Sequence, residues 1–170
     1  GHWLDADMLP LGRIGARHHP VNAPDRMTKF TRPEQVTLMT LWCIAQSPLM
    51  FGGDLPSNDE WTLSLLTNPE VLAVNDEGRH PRELFRDCSC RGLAWIAELP
   101  GPAKAIGVFN FDSSGPRTVR VPFSEAGLPQ TCAVRDLWAR QDLGRVTDCL
   151  GVEVPPHGAR LFKVEGSVSC

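Results

Sequence analysis

Two aspartates near the start of the chain have a spacing that could serve chemistry. Asp5 and Asp7 lie two residues apart in the apolar run 3–9. If this run is a β-strand, both carboxylates point to one face, about 7 Å apart. Retaining glycoside hydrolysis needs two carboxyl groups about 5 Å apart. The spacing alone therefore favours a plain exposed strand end over a catalytic pair.

The elements around this run predict alternating strands and helices. Residues 13–30 are rich in Arg, His, Pro and Asn and are typical of a long loop. Thr31 is a good N-cap with Pro33 in the first turn, and the apolar helix that follows is expected to end at Pro48. A short strand is predicted at 49–51, and short helices at 61–66 and 69–74. This β-α-β-α order is typical of a parallel sheet, but two units are too few to close a barrel.

The second half has a different pattern, with short strands separated by turns. The boundary falls near residues 76–81, which gives domains at 1–80 and 81–170. Proline- and glycine-rich turns interrupt the β-rich stretches, as at Pro155-Pro156-His157-Gly158. An antiparallel β-sandwich is therefore predicted. The β-rich stretches are 92–99, 104–111, 117–123, 132–138 and 152–164.

Composition excludes several classes of partner. The formal net charge is −3, from 17 basic and 20 acidic residues, so we expect no nucleic-acid partner. No apolar run approaches the roughly 18 residues of a membrane span, so we expect no membrane partner. The six cysteines do not suggest a disulfide framework; Cys43 is expected to be a small buried apolar residue. Cys132 and Cys149 could meet across a sheet.

Several polar clusters have two interpretations. Gly52-Gly53-Asp54 could hold a phosphate, but it lacks the surrounding motif, so we favour a tight turn. His18-His19 with Asp25 could bind a metal, but adjacent histidines point apart, and we favour a solvated loop. Among the tryptophans, Trp61 keeps a chance of stacking on a sugar. We expect no metal and no cofactor.

Longer motifs in the chain resemble the α-galactosidases of glycoside hydrolase family 27, the melibiase family. The first is Trp-x-Asp-x-Asp-Met at residues 3–8. The next are Leu-Trp-x-Ile-x-x-Ser-Pro-Leu in the helix after Thr31 and Leu-Leu-Thr-Asn-Pro-Glu-Val-Leu-Ala-Val-Asn at 65–75. Arg-Asp-Leu-Trp at 135–138 is a looser match.

The resemblance implies a fold and a set of pocket residues. The fold is α/β followed by all-β: strands 7 and 8 of a (β/α)8 TIM barrel with their helices, then an antiparallel β-sandwich. Asp7 and Met8 would line the galactose pocket, with Trp3 and Asp5 as support. The family's Asp-Asp pair, Lys-x-Asp nucleophile motif and acid/base aspartate are not matched in this sequence. No catalytic residue is therefore assigned here, and both catalytic carboxylates are expected upstream.

The resemblance implies a function for the protein to which this chain belongs. That protein would be a retaining enzyme that cleaves terminal α-linked galactose, with α-N-acetylgalactosaminidase or β-L-arabinopyranosidase as related specificities. Its partner would be an α-galactoside or related oligosaccharide, a homodimer is possible, and this chain alone is expected to be inactive. The alternative is a non-catalytic carbohydrate-binding or interaction module. The compartment is left open.

Overall fold

The computed structural model describes residues 4–15 and 24–166, in which three helices precede most of the strands. Two short strands, β1 (Arg13–Ile14) and β2 (Arg26–Met27), pair antiparallel. The helices are α1 (Arg32–Ile44), α2 (Glu60–Leu66) and α3 (Pro69–Glu77), with a 3-10 turn at Leu55–Ser57. None of the helices in these ranges is long and apolar enough to cross a bilayer.

The eight remaining strands form two antiparallel sheets. A six-stranded sheet has the order β3-β4-β5-β10-β7-β8, and a two-stranded sheet pairs β6 with β9. Their bounds are β3 Arg79–Arg86, β4 Gly92–Glu98, β5 Ala103–Asn110, β6 Arg117–Pro122, β7 Thr131–Asp136, β8 Gln141–Thr147, β9 Cys149–Val154 and β10 Ala159–Gly166.

The six-stranded sheet is the middle of three layers. Alternate side chains of β4, β5 and β10 face opposite sides, as the pleat of a strand requires. One set, which includes Phe109 and Leu161, packs against the helices with Met39 and Ile44. The other set faces the two-stranded sheet; it contains Ala94, Ile96, Ile106, Val108, Phe162 and Val164, and it meets Val119, Val121, Leu150 and Val154.

Helix α1 begins where the sequence predicted. Thr31 forms a capping box, because its hydroxyl oxygen accepts the Glu34 N–H while the Glu34 carboxylate accepts the Thr31 N–H at 2.7 Å. The helix ends at Ile44, four residues before Pro48. Gly107 of β5 lies beneath it, and a Cβ there would come within 3.2 Å of the Ile44 Cδ1 atom. This close approach places α1 directly on the sheet.

The first predicted strand is wrong over most of its length. Residues 4–8 contain no strand, and only Leu9 forms a bridge, parallel to Phe51. The N–H groups of Ala6, Asp7 and Met8 are bound by side-chain oxygens instead of a neighbouring strand. The predicted strand at 49–51 is likewise reduced to this bridge, and the predicted loop at 13–30 contains β1 and β2.

Two strands were not anticipated, and one β-rich stretch is divided. β3 and β8 were missed, and the stretch 152–164 forms parts of β9 and β10, separated by the Pro-Pro-His-Gly turn. β3 also spans residue 80, where the two predicted domains meet. The division into 1–80 and 81–170 stays a prediction. The sandwich is as expected, whereas the described residues contain no closed barrel.

Candidate functional site

The segment that carries Asp7 is attached to the chain after α1. Leu9 donates its N–H to the Met50 carbonyl at 2.7 Å, and Gly52 donates to the Leu9 carbonyl at 2.9 Å. These two bonds form the parallel bridge between Leu9 and Phe51. Asp7 and Met8 are therefore held directly beside the point where two parallel backbones meet.

Asp7 has a left-handed backbone, with φ at +70°. Aspartate tolerates this region better than most residues because its short polar side chain can bind nearby backbone groups. The Asp5 carboxylate accepts the Asp7 N–H at 2.9 Å, and the Asp7 carboxylate accepts the Met8 N–H at 2.7 Å. The prediction that Asp5 and Asp7 are same-face neighbours on a strand is therefore wrong. They are successive hydrogen-bond acceptors in a turn.

Two side chains from outside the segment also bind its backbone. The Trp42 indole Nε1 donates to the Asp7 carbonyl at 2.9 Å, and the buried Ser47 hydroxyl oxygen accepts the Ala6 N–H at 2.9 Å. Sequence patterns assign neither Trp42 nor Ser47 a role at this site. The available signal was that a tryptophan N–H usually finds an acceptor when its ring is buried.

Asn75 in turn binds the backbone of Trp42 and Ser47. Asn75, on α3, donates from Nδ2 to the Ser47 carbonyl at 2.9 Å and to the Trp42 carbonyl at 3.3 Å. The amide thus bridges two carbonyls at the C-terminal end of α1. The position of the Asp7 segment depends through these contacts on both α1 and α3.

The surface around Asp7 is open and partly apolar. Asp5 and Asp7 are exposed, Met8 is 55% exposed, and Leu4 and Met50 are 55% and 59% exposed. An ionised carboxylate has about four acceptor positions, so the bond to the Met8 N–H leaves the Asp7 side chain able to accept more. The arrangement can bind a hydroxyl-bearing ligand with apolar contact from Met8.

The glycines after Phe51 make a tight turn against this segment. A Cβ on Gly53 would lie 2.3 Å from the Leu11 carbonyl oxygen, and one on Gly52 would lie 3.2 Å from the Met8 Cβ. No side chain fits at Gly53. The glycines therefore serve close packing of the backbone, which agrees with the predicted turn.

The other candidate residues lie elsewhere or are already engaged. Trp3, His18 and His19 fall outside the described residues. The Trp61 ring is covered by the Arg32 guanidinium at 4.8 Å and its indole N–H is bound to Gln35, so the described ring is not an open sugar platform.

Metal-type ligands do not cluster in residues 4–15 and 24–166, where no group of three His, Cys, Asp or Glu side chains could hold an ion. The five cysteines in these ranges are free thiols, so Cys132 and Cys149 do not pair. Cys43 is fully buried, as predicted.

Comparison with known proteins first defines the second half of the chain. Residues 93–164 match the family model described as the alpha galactosidase C-terminal beta sandwich domain. This range covers β5 to β9 and nearly all of β4 and β10, whereas β3 precedes it. The class of protein defined by this fold is one that contains an α-galactosidase-type β-sandwich.

Relatives match nearly the whole chain. A crystal structure of a family 27 β-L-arabinopyranosidase from Geobacillus stearothermophilus is 45% identical, with a TM-score of 0.91, over 100% of this chain and 38% of that one. A probable alpha-galactosidase from Dictyostelium discoideum is 31% identical over 93% of this chain and 39% of its own length. Alpha-galactosidase 2 from Arabidopsis thaliana is 28% identical over 95% and 38%.

These matches identify the family. The chain is the C-terminal portion of a glycoside hydrolase family 27 protein, as its motifs indicated. It spans about two-fifths of the length of these three relatives.

Proposed function

We propose that this chain is the C-terminal part of a retaining α-galactosidase-like glycoside hydrolase that removes terminal α-galactosyl residues. The observation that carries the proposal is the exposed Asp7 carboxylate beside Met8, held in a fixed turn next to the Leu9–Phe51 bridge. The similarity of nearly the whole chain to α-galactosidases supports it.

The first half would supply strands 7 and 8 of a (β/α)8 barrel. The parallel bridge between Leu9 and Phe51, with α1 between them in the chain, is the relation expected of neighbouring barrel strands. Active sites of such barrels lie at the C-terminal ends of the strands and in the loops that follow. Asp7 and Met8 would reach the pocket from that end.

The residues would have distinct roles. Asp7 would accept hydrogen bonds from sugar hydroxyls or orient the acid/base group, and Met8 would give apolar contact. Asp5 would support Asp7 through the 2.9 Å bond to its N–H, and Trp3 would support the pocket as well. The nucleophile and the acid/base would come from sequence upstream, with no metal or cofactor.

A second specificity has an observation of its own in its favour. The 45% identical structure is that of a β-L-arabinopyranosidase. L-Arabinopyranose presents the ring hydroxyls in the same arrangement as galactose and lacks only the C6 hydroxymethyl group. A β-L-arabinopyranoside would therefore offer the same hydroxyls to Asp7, and the pocket wall around C6 would decide between the two sugars.

The proposal is tested with the complete protein that carries this chain. The kcat/KM values for p-nitrophenyl α-galactopyranoside and p-nitrophenyl β-L-arabinopyranoside would be compared. Asp7→Asn is expected to lower kcat/KM about tenfold to hundredfold for the preferred glycoside, the size of a lost charged hydrogen bond. Glu125→Gln, at an exposed turn of the sandwich, is the control and should change neither value.

Two further results bear on the proposal. Proton NMR of the reaction should show the released sugar first with the anomeric configuration of the substrate, as retention requires. The 170-residue chain alone should hydrolyse neither glycoside. Saccharide binding by the complete protein without hydrolysis would favour the non-catalytic carbohydrate-binding module instead.

A further inference from the structure

We propose that Trp42 is a positioning residue for Asp7, acting through the Asp7 backbone without touching the sugar. The inference rests on the proposed function, because it assumes that the Asp7 carboxylate binds the glycoside. Trp42 lies on α1, and its half-buried ring packs against the core between the helices and the sheet. Its indole N–H leaves that core and reaches the Asp7 carbonyl at 2.9 Å.

The geometry explains why this bond controls the carboxylate. The direction of the Asp7 Cα–Cβ bond is set by the two peptide planes on either side of its Cα. The Asp5 carboxylate binds the N–H of the first plane, and Trp42 binds the carbonyl of the second. With φ at +70°, the Asp7 backbone lies in a region that costs a non-glycine residue about 1–2 kcal/mol. Bonds from outside the residue therefore help to hold that conformation.

The contacts behind Trp42 extend this positioning to the sandwich. Asn75 holds the carbonyls of Trp42 and Ser47 from α3. Helix α3 is in turn joined to the six-stranded sheet at its first turn. There Asn68 Nδ2 donates to the Leu137 carbonyl at 3.0 Å, and Glu70 pairs with Arg135 through two bonds of 2.7 and 2.8 Å. A continuous series of contacts thus connects the sandwich to the Asp7 turn.

The chain provides a matched control for the indole. Trp138 also donates its Nε1–H to a side chain of α1, the Thr40 hydroxyl, at 2.8 Å. Its ring is likewise half-buried against the same core. Replacing either tryptophan by phenylalanine removes one indole N–H and part of a ring. Only the Trp42 substitution frees the Asp7 carbonyl.

The experiment is a double-mutant cycle in the complete enzyme. Trp42→Phe is expected to raise KM and the inhibition constant of the free sugar product about fivefold to tenfold, the size of one lost hydrogen bond, with kcat nearly unchanged. Trp138→Phe should leave KM and the inhibition constant unchanged, while lowering the thermal midpoint of unfolding about as much as Trp42→Phe does.

In an Asp7→Asn background, Trp42→Phe should have little further effect on KM, because it acts through Asp7. Ser47→Ala, which frees the Ala6 N–H, is expected to behave like Trp42→Phe.

The outcomes separate this inference from the proposed function. An inactive complete enzyme would contradict the proposed function, and the role of Trp42 would fall with it. An active enzyme in which Trp42→Phe and Trp138→Phe have equal KM values would overturn only the positioning role. An undiminished effect of Trp42→Phe in the Asp7→Asn background would overturn it too, since the indole would then act by another route.

Discussion

At the scale of single residues, burial distinguishes two of the described thiols, Cys43 and Cys132, from two exposed ones, Cys88 and Cys90. Cys43 lies between the helices and the sheet, and removal from water, aided by the negative charge of Asp76, raises the pKa of its thiol to about 12. Burial also raises the pKa of the Cys132 thiol. Cys88 and Cys90 are exposed in the turn between β3 and β4. Since the thiolate is the reactive form, position in the fold should decide reactivity.

Alkylation at pH 8 tests this difference. Iodoacetamide should modify Cys88 and Cys90 in the folded chain and leave Cys43 untouched until the protein is unfolded. Peptide mass spectrometry over time gives the rate at each cysteine, and the urea-unfolded chain is the control in which all rates become similar. Modification of Cys43 at the rate of Cys88 under native conditions would contradict the burial described here.

At the scale of elements, the close packing of α1 on the sheet depends on one glycine. Gly107 lies in the middle layer, and a Cβ there would be within 3.2 Å of Ile44 and of the Phe109 ring. The backbone of β5 and the side chains of α1 therefore approach more closely than a larger residue would permit. Gly151, on β9, is exposed, and a Cβ there would meet only the Arg120 side chain at 3.6 Å.

These two glycines form a test pair. Gly107→Val is expected to destabilise the chain by about 1–3 kcal/mol, because extra methyl groups in a packed core force neighbours apart. Gly151→Val should change the free energy of unfolding by less than about 0.5 kcal/mol, as exposed substitutions usually do. Urea denaturation measures both. Equal effects at the two sites would mean that α1 does not rest on Gly107.

The elements also show what the sequence could and could not predict. Helix α1 was predictable because Thr31 and Pro33 are local signals, and four strands of the sandwich were predictable because turn residues bound them. β3 and β8 were missed because their charged and exposed residues give no apolar alternation. Asp7 and Met8 were assigned by motif, whereas Trp42 and Asn75 reach backbone carbonyls at long sequence separation, and such contacts leave no local pattern.

At the scale of the whole molecule, an ion pair joins the helices to the sandwich. The Arg135 guanidinium binds both oxygens of the Glu70 carboxylate, and this bonding lowers the pKa of Glu70 below its usual value. A carboxylate with a lowered folded-state pKa stabilises the folded chain above its unfolded pKa of about 4.3. That contribution is lost as the pH falls through the folded-state pKa.

Acid unfolding tests the contribution of this pair. Glu70→Gln should lower stability at pH 7 and should flatten the loss of stability below about pH 4, because one linked carboxylate is removed. Glu83→Gln is the control: Glu83 also pairs with an arginine, but within the exposed β3 strand, where such pairs contribute little. Stability would be followed by urea denaturation between pH 3 and pH 7. If Glu70→Gln left the loss of stability below about pH 4 unchanged, the contribution of this ion pair to acid unfolding would be contradicted.

Because both faces of the six-stranded sheet are covered, the fold limits where its gene can be cut and recombined. A gene segment encoding only residues 81–170 would carry the two-stranded sheet but not the helices that cover Phe109 and Leu161. Such a recombinant would expose an apolar face and would be prone to aggregate. Selection should therefore keep the three helices and the sandwich together as one exchangeable unit, so that tolerated fusion junctions fall before α1 and not at residue 80.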